Sequence, residues 1–475
     1  MAHVGCYDGE STPRNLVDEN CRRVHRFLKR EGAQPVRGKG SARPQLKPKE
    51  RTFFQPDSGG LQAEKRKDVR MDAKQLPPRP SLEQYRKQAK DLCKARKSAE
   101  SARRFKKFHP RLTKLTEAEI ADAEVSLADA QWVIAREHGF EGWPKFVKHI
   151  EELVRANSPV SRFELAADAI VIGDVTTLKR LLGENPELVR ARSTREHGAP
   201  LIHYVAANGV EDFRQRTPKN IVEITRVLLD AGAEVDATSQ AYGKAATALG
   251  LAATSYHPAK AGVQLELLDE LLHAGACVDG APDGWSPLVA ALHNGRGDAA
   301  VYLADRGARL DLEGAAGTGR VEVLSCYVDE DGALRDGATK EQLNYGFTWA
   351  CEFGHTHVVK FLFARGFKPD WKFMHGETGL HWASYGGHAD IVELLLNSDA
   401  PVNAKDQTHN GTPLTWAIYG WGNTAPEFKD AGYHEVVERL MRAGATVDWD
   451  WIERSLLAAK LRADARMMAA LGTKA

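Results

Sequence analysis

The sequence predicts an all-α chain built from tandem pairs of short helices, and three observations carry that expectation. Similar segments recur near the end: FTWACEFGHTHVVKFLFARG (347–366), LHWASYGGHADIVELLLNSD (380–399), then LTWAIYG (414–420) with VVERLMRAGATVD (436–448). Their lead apolar residues, Phe347, Leu380 and Leu414, are 33 and 34 residues apart, a period that marks stacked supersecondary units. The punctuation follows the same rhythm. Pro200, Pro287 and Pro413 open the first helix of a pair, where a missing N–H costs nothing. Gly232, Gly275, Gly307, Gly366 and Gly444 follow the second helix, where a left-handed cap favours glycine.

Charge divides the chain before any repeat begins. The 475 residues hold 65 Lys+Arg and 64 Asp+Glu, a net charge of +1. Residues 1–70 carry 16 basic and 9 acidic side chains, residues 71–160 carry 18 and 13, and residues 161–475 carry 31 and 42. A basic front and an acidic body point to separate functional pieces. Residues 1–79 read as a disordered basic extension broken by Gly38–Gly40, Pro44, Pro48 and Gly59–Gly60, with Met71 as an alternative start. Six scattered cysteines with no C-x-x-C pair suit a reducing compartment. No apolar run nears the roughly 18–20 residues of a membrane span. The expected setting is cytoplasmic, with no cofactor, no metal and no membrane contact.

Residues 80–158 read as an N-terminal helical domain. Thr116 with Glu119, and Ser126 with Asp129, have capping-box spacing. Leu127, Ala130, Val133 and Ile134 share one helical face, Gly139 stops that helix, and Phe140, Trp143, Phe146 and Ile150 fold back over it.

The repeats extend over residues 160–448. Earlier copies are IHYVAANG (202–209) with ITRVLLDAGAEVDA (224–237), TALGLAA (247–253) with LLDELLHAGACVD (267–279), and WSPLVAALHNG (285–295) with AVYLADRGARLD (300–311). LEGAAGTGRVEVL (312–324) follows, and LAADAIVIGDVTTLKRLL (165–182) is the most divergent copy. About eight units result. Their period and their T-P-L-T, T-G-L-H, G-H and L-L-x-A-G-A elements resemble the ankyrin repeat, so the resemblance implies an all-α ankyrin-repeat solenoid. Residues 449–475, with a helix from Trp451 to Leu471, are expected to cap its end. SLADAQWVIAREHGFEGWPKF (126–146) ahead of such an array is also similar to a group of bacterial ankyrin-repeat proteins, which supplies no chemistry to carry over.

Irregularities point to candidate contact sites. A regular unit has eleven residues from its lead apolar position to the next helix's apolar run, as in Phe347 to Val358. Ile202 to Ile224 and Leu414 to Val436 span 22, and Leu249 to Leu267 spans 18. The three insertions, 209–220, 254–264 and 419–433, fall at one place in the repeat, and insertions along one edge often serve binding. Tolerated surface loops are the other reading. They nominate Phe213, Arg214, Arg216, Tyr256 and Trp421. The ankyrin resemblance further implies that the two positions before Gly-His face a concave groove: Glu352 and Phe353, Tyr385 and Gly386, Tyr419 and Gly420. Phe353, Tyr385 and Tyr419 are the expected contacts, since aromatics dominate interface hot spots. Trp349, Trp382 and Trp416 occupy the preceding helix position and are expected in the core. Leu288 to Leu312 is only 24 residues, so a turn is missing there and the array is expected to change contact.

Catalytic signatures are not found: no G-x-S-x-G, P-loop or H-E-x-x-H occurs. His203, His381, His355 and His388 fall on ankyrin consensus positions, where the resemblance implies hydrogen bonds to neighbouring turns. The run Asp329-Glu330-Asp331-Gly332 lacks the ligand spacing of a calcium loop. The sequence therefore points to a non-catalytic scaffold that binds a protein partner. Two alternatives stand beside it. One is a nucleic-acid-associated protein using the basic 81–110 segment, with Arg86, Lys87, Lys90, Lys94, Arg103, Arg104, Lys106 and Lys107. The other is a regulatory subunit of an enzyme.

Overall fold

The computed structural model describes residues 73–373, 375–423 and 432–472. The extension over 1–72, with the alternative start at Met71, and most of the 419–433 insertion lie outside the described residues. The chain divides between Ala308 and Arg309 into two compact units. That boundary falls inside the shortened Leu288–Leu312 interval.

The first unit begins with five helices: α1 (Leu82–Lys94), α2 (Ala99–Phe108), α3 (Glu117–Asp122), α4 (Leu127–Glu137) and α5 (Trp143–Val154). Ser81, Ser98, Thr116 and Ser126 each cap the helix that follows, and the last two close full capping boxes with Glu119 and Asp129. Phe105, Ile120, Val133, Ile134, Phe140, Phe146 and Ile150 fill one core between these helices. The domain reaches further back than residue 80. Lys74 N–H donates to Glu137 O at 2.7 Å, and Leu76 packs on the core. The expected boundary at residue 79 is therefore corrected to Ala73 among the described residues, because backbone hydrogen bonds seat this stretch on α4.

Four helix pairs follow: α6 (Pro159–Ile172) with α7 (Val175–Glu184), a 3-10 helix Leu201–Ala206 with α8 (Ile221–Asp230), α9 (Ala248–Thr254) with α11 (Gln264–His273), and α12 (Pro287–His293) with α13 (Gly297–Asp305). A short helix, α10 (Tyr256–Lys260), lies within the second insertion. The second unit adds four more pairs: α14 (Leu312–Gly317) with α15 (Val321–Leu324), α16 (Lys340–Glu352) with α17 (Thr356–Phe363), α18 (Gly379–Tyr385) with α19 (Ala389–Leu396), and α20 (Pro413–Asn423) with α21 (Tyr433–Arg442). Eight pairs make this an all-α ankyrin-repeat solenoid fold. Extended pairing among the described residues is confined to four isolated bridges, such as Lys372 with Thr378 at the base of a turn.

Each pair leaves an apolar stripe that only its neighbour covers. In the second unit Leu312, Phe347, Leu380 and Leu414 join Val358, Ile391 and Val436 in one continuous core. Small residues at Ala316, Ala350, Ala383 and Ala417 let the first helices of successive pairs approach. The four consensus histidines add polar bonds across the same junctions. His355 Nε2 donates to Gly317 O at 3.0 Å, and His388 Nε2 to Glu352 O at 2.7 Å. His203 Nε2 reaches Ala237 O at 2.7 Å, and His381 Nε2 reaches Gly411 O at 3.2 Å. Burial lowers His203, His355 and His381 to about 4, so each is neutral at ordinary pH and donates through Nε2.

The C-terminal cap departs from the single helix expected. It is three short helices: α22 (Trp449–Arg454), α23 (Ala458–Ala463) and α24 (Ala465–Ala470). Ser455 takes an extended conformation, and Asp464 breaks the chain again while accepting from Met467 N–H. The breaks let Ile452, Leu461, Met467 and Leu471 all reach the core over the last pair, which one straight helix cannot do.

The glycines after the second helices sit in the left-handed region, as expected. A Cβ at Gly366 would meet nothing within 4 Å, so its cost is purely conformational. At Gly386 a Cβ would lie 2.4 Å from Glu352 O of the preceding pair. Gly366→Ala is expected to lower unfolding free energy by about 1–2 kcal/mol. Gly386→Ala is expected to cost more, because two stacked helices must part. Urea unfolding of both variants checks the order.

Candidate functional site

The aromatic residues of α16, α18 and α20 meet on one face of the second unit. Trp382 stands between Trp349, 6.0 Å away between ring centroids, and Trp416, 5.1 Å away, in edge-to-face contact with both. Phe353 stacks on Trp349 at 6.3 Å, and Tyr385 meets Trp416 at 6.1 Å. Phe373 closes the row from the intervening turn, 6.0 Å from Trp349 and 6.2 Å from Trp382. These are the separations and angles at which ring quadrupoles attract.

Burial along the row is uneven. Trp349 is buried, as expected of a core residue, while Trp382, Trp416, Phe353, Tyr385 and Tyr419 are only half-buried. Trp382 and Trp416 therefore belong to the face as well as to the packing, a correction to their expected place in the core. Their size is the cause: where a consensus leucine would end inside, an indole extends to the surface. The indole N–H groups differ too. Trp349 Nε1 donates to Glu313 Oε1 at 2.9 Å and Trp416 Nε1 to Asp406 Oδ2 at 3.1 Å. Trp382 Nε1 is buried without a hydrogen-bond partner.

The groove positions carried over from the resemblance separate in the structure. Phe353 and Tyr385 join the aromatic row, and Tyr419 lies one turn beyond Trp416 on α20. Burial raises the Tyr419 hydroxyl above its ordinary range. Glu352 is buried, and Gly386 and Gly420 are closed off by neighbouring backbone, so these three serve stacking. Trp421 is half-buried, and Lys460 of the cap lies 4.6 Å over its ring.

The insertion residues of the first unit do not form one edge site. Tyr256 is exposed on α10, with Arg296 5.4 Å and Lys260 5.5 Å from its ring. Phe213 is half-buried and Arg216 exposed. Arg214 is neither: at 4% exposure it lies inside a buried ion cluster. Its guanidinium meets Glu164 and Asp168, each at 2.8 Å, and Glu211 at 3.5 Å. Arg195 completes the cluster, 2.6 Å from Glu164 and 2.9 Å from Glu211. The Tyr204 hydroxyl donates to Glu211 at 3.3 Å, and the Phe140 ring lies under Arg195 at 5.6 Å. Arg214 is thus corrected from a contact residue to an internal one. Two buried carboxylates would be unstable without it, and the cluster pins the 209–220 insertion against α6 and the N-terminal domain.

Of the cationic set, Arg104 is likewise turned inward. It grips buried Glu137 with two bonds of 2.7 and 2.8 Å, and Lys74 adds a third at 3.0 Å. Arg103 faces Glu117 at 3.8 Å, and Lys107 lies 4.7 Å over Phe108. Arg86, Lys87, Lys90, Lys94 and Lys106 are exposed. No group of three or more His, Cys, Asp or Glu among the described residues is placed to hold a metal ion.

Comparison with known proteins agrees with this geometry. Residues 347–450, which carry the aromatic row, match the family model for ankyrin repeats in three copies. An ankyrin repeat and KH domain-containing protein, mask-1, of Caenorhabditis elegans is 26% identical over 293 residues, 60% of this chain and 10% of its own length. The palmitoyltransferase AKR1 of Lachancea kluyveri is 34% identical over 109 residues, 22% of this chain and 13% of its own. Palmitoyltransferase ZDHHC17 of Homo sapiens is 28% identical over 173 residues, 29% and 25% respectively. The chain spans no more than a quarter of the length of these relatives. No helix among the described residues is long and apolar enough to cross a membrane.

The buried ion cluster sets a pH dependence. Burial alone would raise the Glu164 carboxyl, but Arg195 and Arg214 bring it down to about 2. Its folded value lies below the ordinary carboxylate value of about 4.3. Its contribution to stability is therefore complete above that range and is lost as pH falls towards 2. Glu164→Gln leaves two buried guanidiniums short of one charge and is expected to cost about 3–5 kcal/mol at neutral pH. Urea unfolding at pH 7 and pH 3 tests this: the variant's deficit is expected to shrink at the lower pH.

Proposed function

We propose that the chain is a non-catalytic scaffold and that the aromatic face of α16, α18 and α20 is where it holds a protein partner. Ankyrin repeats generally mediate protein–protein interaction, and residues 347–450 match that family most directly. The observation that carries the reading is the half-buried row Phe353, Trp382, Tyr385, Trp416 and Tyr419. Ring-on-ring packing holds Phe353, Trp382, Tyr385 and Trp416 in place before any partner arrives, which lowers the ordering cost of association. Such rings bury large area while fixing few rotatable bonds. Exposed Tyr256 and Arg216 and half-buried Phe213, all from the first unit's insertions, are secondary contacts in this proposal. Trp421, partly covered by Lys460, is a weaker one. The acyl transfer named for two relatives stays with those proteins, since the match covers at most 25% of their length.

The test is affinity capture followed by direct titration of the captured protein. Phe353→Ala with Tyr385→Ala and Tyr419→Ala is expected to weaken binding by about 30-fold or more, with the helical circular dichroism retained. Trp382→Phe, which removes the pyrrole half of the indole, is expected to weaken binding less than the triple variant does. A partner that binds both variants as it binds the parent protein would place the interaction elsewhere.

A further inference from the structure

The first unit carries a second surface of different chemistry. Residues 79–114 hold thirteen Lys and Arg against only Glu83, Asp91 and Glu100. On α1, Arg86, Lys90 and Lys94 step by four residues, about 6 Å of axial rise each time, and Lys87 stands beside them. All four lie within about 100° of the helix circumference, since successive residues turn by that angle. Arg96 and Lys97 continue the run in the turn that ends α1. Arg86, Lys87, Lys90, Lys94 and Lys97 are exposed and Arg96 is half-buried. None of the six is ion-paired within the described residues, whereas Arg104 and Arg103 nearby both face carboxylates. Residues 1–70 supply no neutralising excess, being themselves basic by 16 to 9.

We infer that this face of α1 binds the sugar–phosphate backbone of double-stranded nucleic acid without reading its bases. Regularly spaced, unpaired cations on a rigid helix release counterions from a polyphosphate when they dock, and that release supplies the affinity. Three features of the surface select this partner. The apolar side of α1, Tyr85, Ala89 and Leu92, is buried in the domain core, so the helix has no apolar face to insert in a bilayer. Tyr85, Phe105 and Phe108 are all buried, so no ring of α1 or α2 is offered for stacking unpaired bases, which single-strand binders use. Gln84 and Gln88, exposed on the same helix, add neutral donors suited to phosphate oxygens.

The test uses the full chain and a labelled DNA duplex, read by fluorescence anisotropy between about 50 and 200 mM salt. The parent protein is expected to bind with log affinity falling linearly against log salt. Arg86→Gln, Lys87→Gln, Lys90→Gln and Lys94→Gln combined are expected to weaken binding at least tenfold and to flatten the salt slope by about 3. All four side chains are exposed, so an unchanged melting curve shows that the fold is intact. Lys179→Gln, an exposed cation of α7, controls for loss of a cation elsewhere in the unit and is expected to leave binding unchanged. Vesicles containing phosphatidylserine and a single-stranded oligonucleotide form the comparison arms. An unchanged affinity in the quadruple variant overturns the inference, as does tighter binding to the vesicles or to the single strand than to the duplex.

Discussion

A pair of short helices cannot cover its own apolar stripe, and everything else in this chain answers to that constraint. Ala316, Ala350, Ala383 and Ala417 are small because their helices must approach. Gly386 and Gly420 lack side chains because the backbone of the preceding pair occupies that space. Where the stacking ends, other material must finish it. At the C-terminal side three short helices bring Ile452, Leu461 and Met467 onto the exposed stripe.

Polar bonds then fix what burial leaves loose. Apolar contact is tolerant of sliding, whereas a histidine donating to one particular carbonyl is not. His355 to Gly317 and His388 to Glu352 set the register of successive pairs. Burial keeps His355 neutral, lowering it to about 4. In the first unit charge adds a further lock beside the bond from His203 to Ala237. Glu164, Glu211, Arg195 and Arg214 lock an insertion that repeat stacking alone would leave unsupported. Locks of this kind stabilise little when compared with apolar packing of equal volume, but breaking one side of them is costly.

The two surfaces proposed for binding differ in how they arise. The aromatic row is a by-product of stacking: one oversized residue per pair, repeated at one position, becomes a continuous band. The cationic face of α1 is local, written by four-residue spacing within a single helix whose other side is committed to the core. One offers fixed apolar area, the other diffuse charge. They are suited to different partners.

Much of the fold follows from local sequence. The period from Phe347 to Leu380 to Leu414, the capping glycines and the consensus histidines each depend on residues a few positions apart, or on one unit repeating the last. Propensity and periodicity report such relations directly. Phe353 and Tyr385 are nominated through the ankyrin resemblance and not by local pattern. The tertiary structure alone decided the rest. Arg214 reads as one more charge in a loop, and its burial depends on Glu164, fifty residues earlier. Arg104 reads as part of a cationic run until Glu137 is placed opposite it, thirty-three residues away. Trp382 and Trp416 read as core residues, and only the dimensions of the packed pair show that an indole exceeds the room available. Repetition in a sequence specifies which helices stack. What a long side chain meets across the stack is set by distances in space, which no local pattern records.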